Sequence, residues 1–198
     1  MSTLYIVAGL PGTGKTTISE YLQRELGVPL FCKDKMKEIL FDVVGFQSPQ
    51  GKEQLDRAST EILYYDARRC LEAGGDAMIE SNFMAWDLPD VEKLAAEFGC
   101  RCVTLYLTGD LRVIFDRLCA RNHAPDRHPA HAIDDHYPLL PGESDPATIL
   151  EDWDEFEAMV TSWEVEKFHL GPVVTVDTTD FSKVDFPSVL AELRACLQ

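Results

Sequence analysis

Short hydrophobic runs alternate with amphipathic stretches along most of the chain. The runs are typical of buried β-strands, and the stretches have the three- and four-residue spacing of helices. The runs predict five strands, at residues 4–8, 28–32, 76–80, 100–107 and 172–176. The stretches predict helices at residues 16–26, 35–44, 53–73, 88–98, 110–121 and 186–197. This alternation predicts an α/β sandwich with a five-stranded, mostly parallel sheet flanked by helices.

Residues 122–146, which we call the lid segment, interrupt the alternation. They contain Pro125, Pro129, Pro138, Pro141 and Pro146. A proline-rich stretch of this length predicts a loop or a mobile lid. The segment also holds four histidines, but no cysteine is interleaved with them, so substrate contact is favoured over a structural zinc site. The histidines are His123, His128, His131 and His136.

An apolar stripe with helical spacing follows the lid segment. Aromatic and aliphatic residues at three- and four-residue steps usually face the core, and the opposite side here is rich in carboxylates. The stripe therefore predicts a further amphipathic helix packed on the domain. It consists of Ile149, Trp153, Phe156, Val160 and Trp163.

The strongest chemical signal follows the first predicted strand. Residues 9–16 read Gly-Leu-Pro-Gly-Thr-Gly-Lys-Thr and match G-x-x-x-x-G-K-[ST] at every position. The glycines let backbone amides point at phosphates, and the helix that follows adds its positive amino-terminal end. In such a P-loop Lys15 reaches the β- and γ-phosphates, Thr16 ligates magnesium and Thr17 lies near the α-phosphate. The predicted cofactors are ATP and Mg²⁺, bound by Gly9, Pro11, Gly12, Thr13, Gly14, Lys15, Thr16 and Thr17.

A P-loop by itself shows only that a nucleotide binds. GTPases read guanine with an [NT]-K-x-D loop, and this string does not occur in the chain. Motor-type ATPases end a strand with an Asp-Glu pair, whereas this chain has Glu80-Ser81. A phosphotransferase is therefore favoured, and an ATP-hydrolysing regulatory protein is an alternative.

Asp34 lies directly after the second predicted strand, in the sequence Phe-Cys-Lys-Asp-Lys-Met-Lys of residues 31–37. Here the chain resembles the P-loop kinase group of polynucleotide kinases, zeta toxins and chloramphenicol phosphotransferases, which includes small ATP-binding proteins described as predicted kinases. The resemblance implies that Asp34 accepts the proton of the substrate hydroxyl. Asp34 as a helix cap is a compatible alternative. Polynucleotide kinases usually have Arg where this chain has Lys37, which weakens the interpretation as a nucleic-acid kinase.

Three further polar residues lie at the end of the third predicted strand, where the same group commonly has an acid. Glu80 is predicted to hold magnesium or to orient the acceptor. Ser81 and Asn82 offer hydrogen bonds to a hydroxylated ligand, although they also suit an ordinary turn. With Asp34 and Lys37, these residues make up the predicted substrate site.

Arg117 and Arg121 are one helical turn apart, so both project from the same face just before the lid segment. The spacing resembles the R-x-x-x-R of nucleotide monophosphate kinases, in which the first Arg packs on adenine and the second contacts the transferred phosphates. The resemblance implies that Arg121 is catalytic together with Lys15 and Asp34, and that Arg127 joins them on lid closure. Arg117 as a surface residue paired with an acid is the alternative. The loop of residues 177–179 is expected near the adenine edge.

Length and charge narrow the possible partners. The 198 residues fit one kinase domain, residues 1–198, that includes the lid segment. A formal net charge of −16 opposes binding to a long nucleic acid. The first apolar run is too short for a bilayer, no basic leader precedes it, and the six cysteines are scattered, which together predict a cytoplasmic protein with reduced thiols. The expected activity is transfer of the γ-phosphoryl group of ATP to a hydroxyl of a small substrate, with a polynucleotide or nucleoside 5'-hydroxyl kinase as a further alternative.

Overall fold

The computed structural model describes residues 1–133, 135–142 and 151–198. Within these residues a five-stranded sheet has the order β2-β3-β1-β4-β5, and every paired strand is parallel to its neighbour. Each of the five predicted strands overlaps an observed one, which confirms the α/β sandwich. The strands are β1 (Thr3–Gly9), β2 (Leu30–Cys32), β3 (Ala77–Glu80), β4 (Arg101–Thr108) and β5 (Val173–Asp177).

Helices connect the strands and cover both faces of the sheet. In the described residues they are α1 (Lys15–Leu26), α2 (Lys33–Val44), α3 (Pro49–Glu72), α4 (Leu88–Phe98), α5 (Leu111–Asn122), α6 (Trp153–Trp163) and α7 (Phe186–Ala195). Helix α3 begins four residues before its prediction, because Pro49 occupies its first turn and Ser48 caps it by accepting a bond from the Gly51 amide at 3.2 Å. Helix α2 begins at the residue after β2, so no loop separates the two elements.

Strand β1 is buried on both faces, which explains its unbroken apolar run. Tyr5 and Val7 pack against α1 and α7, while Leu4, Ile6 and Ala8 pack against α3 and α4. The alternation follows from the two-residue period of a strand. Burial of each large apolar side chain contributes about 1.5–3 kcal/mol, so β1 is the centre of both halves of the core.

Helix α6 packs beside the P-loop through the predicted apolar stripe. Phe156 and Val160 are buried against Leu10 and α5, and Trp153 and Trp163 are partly buried in the same cluster. The core assignment of these four residues is therefore confirmed. Ile149 lies outside the described residues.

The lid segment packs against α2 and α3 over its described residues. Ala130 and Ile133 are fully buried in a cluster with Phe41, Phe46 and Leu55. The backbones of Phe46 and Tyr137 also exchange two hydrogen bonds of 2.8 Å. The predicted loop therefore packs at a defined position on α2 and α3. Its residues 134 and 143–146 lie outside the described part of the chain.

All six cysteines lie in the described part of the chain, and none of them takes part in a disulfide bond there. Across the described ranges, no helix is long and apolar enough to cross a membrane.

Candidate active site

The strand order brings three chain segments that carry candidate functional residues to one edge of the sheet. Strand β3 lies between β1 and β2, and Glu80 at its end pairs in register with Val7 on one side and Cys32 on the other. Because parallel strands end at the same edge, the P-loop, Glu80 and Asp34 follow three adjacent strand ends. The predicted site residues therefore meet at the expected place in an α/β fold.

The P-loop has the backbone geometry of a phosphate cradle. Gly12 and Gly14 have φ values of +85° and +83°, a region in which residues with a Cβ are strained. A Cβ on Gly14 would also lie 2.3 Å from the Phe181 ring. The hydroxyl of buried Thr13 donates to the Leu10 carbonyl at 2.8 Å and closes the loop. No side chain caps α1, so its first amides remain available to an anion.

Lys15 is folded back into this loop. Its side chain is nearly buried, with 8% of the residue exposed, and its ammonium donates to the carbonyls of Gly9 at 3.0 Å and Leu10 at 2.9 Å, and to Asn82 Oδ1 at 2.9 Å. Burial lowers the pKa of Lys15, against the opposing effect of the negative charges of Glu80 and Asp34. The ammonium is therefore held by neutral oxygens, which phosphate oxygens can replace.

Thr16 and Glu80 form the centre of a set of oxygen ligands. The Thr16 hydroxyl donates to Glu80 Oε1 at 2.8 Å, and the Ser19 hydroxyl donates to Glu80 Oε2 at 2.6 Å. Glu80 is only 2% exposed, so both carboxylate oxygens have fixed positions. Hydroxyl and carboxylate oxygens are the donors that Mg²⁺ prefers. The sequence analysis missed Ser19, although its place one helical turn after Thr16 puts it on the same face of α1.

The turn after β3 fixes Asn82 beside the P-loop. The Ser81 amide donates to the Val7 carbonyl at 3.2 Å, and the Gly9 amide donates to the Asn82 carbonyl at 3.4 Å. Phe83 has a φ of +46°, which costs a non-glycine residue about 1–3 kcal/mol. Its ring is buried and stacks on Phe168 with centroids 4.6 Å apart, which holds the strained turn in place.

Asp34 is the second residue of α2 and its side chain is exposed. The N-cap position belongs to Cys32, and no side chain caps the helix, so the alternative of Asp34 as a helix cap is wrong. Its carboxylate accepts no hydrogen bond from the described residues. Crowding by protein atoms raises the pKa of Asp34, but neighbouring positive charges outweigh this and leave the pKa below its ordinary value. These charges belong to His131, Lys15, Lys37 and Lys33.

Lys37 lies one turn further along α2 and has a structural partner. Its ammonium is 2.7 Å from Asp56 Oδ1 on α3 and lies over the Phe41 ring. Burial lowers the pKa of Lys37, and Asp56 opposes that effect. The predicted substrate contact of Lys37 would therefore compete with an ion pair that joins α2 to α3.

Arg117 connects α5 to the loop after β5. Its guanidinium donates to the carbonyls of Thr178 at 2.5 Å and Thr179 at 2.6 Å. In the described residues its contacts are to these carbonyls and not to an acid, which differs from the surface ion pair considered as an alternative. The structure thus brings together the two segments that were predicted to lie near adenine.

Arg127 in the lid segment responds to charges on two helices. Burial and the charge of Arg121 on α5 lower the pKa of Arg127, while Asp34 and Glu38 on α2 oppose this. The Arg127 Nε atom is buried without a hydrogen-bond partner among the described residues. The arrival of Arg127 at the phosphates on lid closure stays a prediction.

The lid segment meets a row of acids on α2. Asp34, Glu38 and Asp42 recur every four residues and share one face of the helix. His131 Nε2 is 3.0 Å from Glu38 Oε1, and His128 Nε2 is 3.1 Å from Asp42 Oδ1. Across the described ranges, no group of three or more His, Cys, Asp or Glu residues is placed to hold a metal ion. Two of the lid histidines therefore pair with carboxylates of α2, a contact that the sequence analysis did not predict.

The comparisons with known proteins agree with this geometry. The model of an AAA domain family matches residues 4–137, which is more than half of the 198 residues. The chain belongs to this AAA domain family. No curated protein matches the sequence.

Solved structures show the same fold over the whole domain. A candidate kinase from Chloroflexus aurantiacus is 27% identical to this chain and has a TM-score of 0.82. The match covers 100% of this chain and 99% of the kinase chain. A gluconokinase from Sinorhizobium meliloti has 12% identity and a TM-score of 0.53, covering 99% of this chain and 91% of its own. A shikimate kinase from Bacteroides thetaiotaomicron has 16% identity and a TM-score of 0.51, covering 98% of each chain. This AAA domain protein therefore has a P-loop kinase fold, and the predicted membership of the P-loop kinase group is confirmed.

Proposed function

We propose that the protein transfers the γ-phosphoryl group of ATP to a hydroxyl group of a small substrate. One observation carries the proposal: Asp34 follows β2, the strand next to β3, its carboxylate accepts no hydrogen bond from the described residues, and the positive charge of the P-loop residue Lys15 lowers its pKa. A free carboxylate near the phosphate cradle can take the proton of an acceptor hydroxyl. The solved structure with 27% identity, described as a candidate kinase, supports the same reaction class.

The nucleotide would bind across the P-loop and α5. The uncapped amino end of α1 and the Lys15 ammonium would hold the phosphates, and Arg117 with the loop of residues 177–179 would border the base. Thr16 and Glu80 offer oxygen ligands that suit Mg²⁺, either directly or through water. The metal would supply charge neutralisation on the phosphates. Ser19 keeps the Glu80 carboxylate in the orientation needed for that role.

The transfer step begins at the acceptor hydroxyl. Asp34 accepts the hydroxyl proton while the hydroxyl oxygen forms a bond to the γ-phosphorus of ATP. The bond from that phosphorus to the bridging oxygen breaks, and ADP leaves with the electron pair. Arg121 and Arg127 stabilise the charge on the transferred group. The pKa of Asp34 lies below its ordinary value, so its carboxylate is ionised at neutral pH and its oxygens are free of protons.

The surroundings of Asp34 favour a neutral or acidic acceptor. Its pKa lies below the ordinary value because positive charges dominate nearby, and a cationic acceptor would be repelled by them. Ser81, directly after β3, is partly exposed and supplies a hydroxyl for a sugar-like ligand. The overall charge of −16 disfavours long polyanions, so a small molecule is the preferred acceptor.

A screen of acceptors tests the proposal. Purified protein with ATP and Mg²⁺ is offered sugars, hydroxy acids, nucleosides and a short oligonucleotide with a free 5'-hydroxyl, and ADP and phosphorylated product are both quantified. We expect one class of small molecule to give equal amounts of ADP and phosphorylated product. Equal amounts of ADP and inorganic phosphate for every compound would show a hydrolase instead. Phosphorylation of the oligonucleotide in preference to all small molecules would support the polynucleotide kinase.

A further inference from the structure

His131 lies over the face of α2 that carries Asp34. Glu38 is one helical turn beyond Asp34, so the two carboxylates point to the same side. His131 Nε2 is 3.0 Å from Glu38 Oε1, and the His131 side chain is only 8% exposed. Ala130 and Ile133 on either side of it are fully buried. Both packing and a hydrogen bond therefore hold the imidazole ring in one place.

We propose that His131 is a positioning residue for Asp34: held by Glu38 on the same face of α2, its ring becomes the cationic neighbour of the Asp34 carboxylate in acid solution. The proposal rests on the proposed function only for the catalytic consequence. The hydrogen bond between His131 and Glu38 is independent of which reaction the protein performs.

The charges around Asp34 come from three parts of the chain. They belong to Lys15 in the P-loop, Lys33, Lys37 and Glu38 on α2, and Arg127 and His131 in the lid segment. The positive charge of His131 is the largest contribution that lowers the pKa of Asp34. The Cys32 thiol adds no charge, because burial raises its pKa to about 12. His131 is thus the charge near Asp34 that changes most with pH.

The pKa of His131 sets the conditions under which this charge exists. Burial lowers the pKa of His131, Asp34 raises it and Arg127 lowers it again, with a net lowering. The ring is therefore mainly neutral at neutral pH and holds Glu38 by a hydrogen bond. As the solution is acidified the ring gains a proton, and its charge then keeps Asp34 ionised to lower pH than the other cations alone would.

Carboxyl NMR titration of the nucleotide-free protein tests the proposal without any activity measurement. The Asp34 signal is assigned from its loss in Asp34→Asn, and its titration midpoint is compared in the wild type and in His131→Gln. We expect the midpoint to move to higher pH in His131→Gln and to return toward the wild-type position in His131→Lys, which keeps a cation. His128→Gln is the matched control, because His128 pairs with Asp42 two turns away, and it should leave the Asp34 midpoint unchanged.

A reciprocal measurement covers the case in which His131→Gln does not fold. Two coupled groups shift each other equally, so Asp34→Asn should move the titration midpoint of the His131 ring to lower pH. An unchanged His131 midpoint in Asp34→Asn, or an Asp34 midpoint that responds equally to His131→Gln and His128→Gln, would overturn the proposal.

The pH dependence of kcat/KM separates this proposal from the proposed function. If Asp34 is the base, the acid limb should move to higher pH in His131→Gln, with little change on the alkaline side. If the NMR midpoint moves but the acid limb does not, His131 does position Asp34 and the assignment of Asp34 as the base is wrong.

Discussion

Replacement of Asp34 by Asn is the most direct test of the proposed chemistry. Asn has the same shape as Asp but lacks the negative oxygen that accepts a proton. Asp34 is exposed and its carboxylate accepts no hydrogen bond from the described residues, so the fold should tolerate the change. The P-loop amides, Lys15 and the Thr16–Glu80 pair, which we propose hold ATP and Mg²⁺, remain in place.

The usual effect of losing a general base and the exposure of Asp34 set the size of the expected effects. Loss of a general base lowers the rate on the order of 100 to 10,000 fold. This corresponds to about 2.7–5.4 kcal/mol in the activation free energy, at about 1.36 kcal/mol for each tenfold change. The free energy of unfolding should fall only slightly, because the side chain is exposed although neighbouring positive charges favour its ionised form. The ATP dissociation constant should stay within about twofold, since Asp34 makes none of the P-loop contacts.

The assay measures acceptor-dependent ADP release, with ATP dissociation constants from calorimetry in parallel. Asp42→Asn is the matched control, because Asp42 lies on the same face of α2 and pairs with His128 and Tyr137 in the lid segment. The control should lose far less of its rate than Asp34→Asn. A parallel loss of ATP binding and rate in Asp34→Asn would place Asp34 in the magnesium site. An unchanged rate would move the base to Glu80.

Three further predictions follow from the contacts of single side chains. Lys15→Met, which keeps the aliphatic stem, should remove detectable turnover while circular dichroism still shows a folded protein; normal turnover would contradict the role of the P-loop. Phe41→Ala should lower the free energy of unfolding by about 3–5 kcal/mol in urea titrations, because Phe41 is fully buried between α2, α3 and the lid segment. Val43→Ala, at a position 79% exposed on the same helix, should change it by less than about 0.5 kcal/mol. The pKa of His131 is lowered in the folded state, so the free energy of unfolding should fall as pH drops below the ordinary value of 6.5. His131→Gln should flatten this part of the plot of unfolding free energy against pH. Equal slopes of that plot for the wild type and the variant would contradict the prediction.

Local sequence signals predicted the sheet and the phosphate cradle. The strands have a two-residue or continuous apolar pattern, and the P-loop is specified by eight consecutive residues, so neither depends on distant parts of the chain. Asp34 and Glu80 were predicted from the resemblance to the P-loop kinase group, and both lie at strand ends, as expected for functional residues of an α/β fold. The start of α3 was missed because Pro49 and Gly51 resemble a turn, while Ser48 and Pro49 together form a helix start.

The contacts that were not predicted join residues far apart in sequence. His131 and Glu38 are 93 positions apart, and His128 and Asp42 are 86 apart. Such pairs depend on how the lid segment packs on α2, which no local pattern specifies. The ion pair between Lys37 and Asp56 has the same origin, since it needs the crossing of α2 and α3. Site residues on one element were therefore predictable, and their partners on other elements were not.

The direct junction between β2 and α2 has a consequence for how substrate preference can change. Asp34 is two residues from the end of β2, and no loop separates β2 from α2. The sheet therefore fixes the backbone position of Asp34. The lid segment packs on the same helix and attaches to the domain by a small apolar cluster and a few polar contacts. Substitutions in the lid segment can therefore change the surface beside α2 and leave the Asp34 carboxylate where it is. Under the proposed function, acceptor preference then changes without any movement of the base.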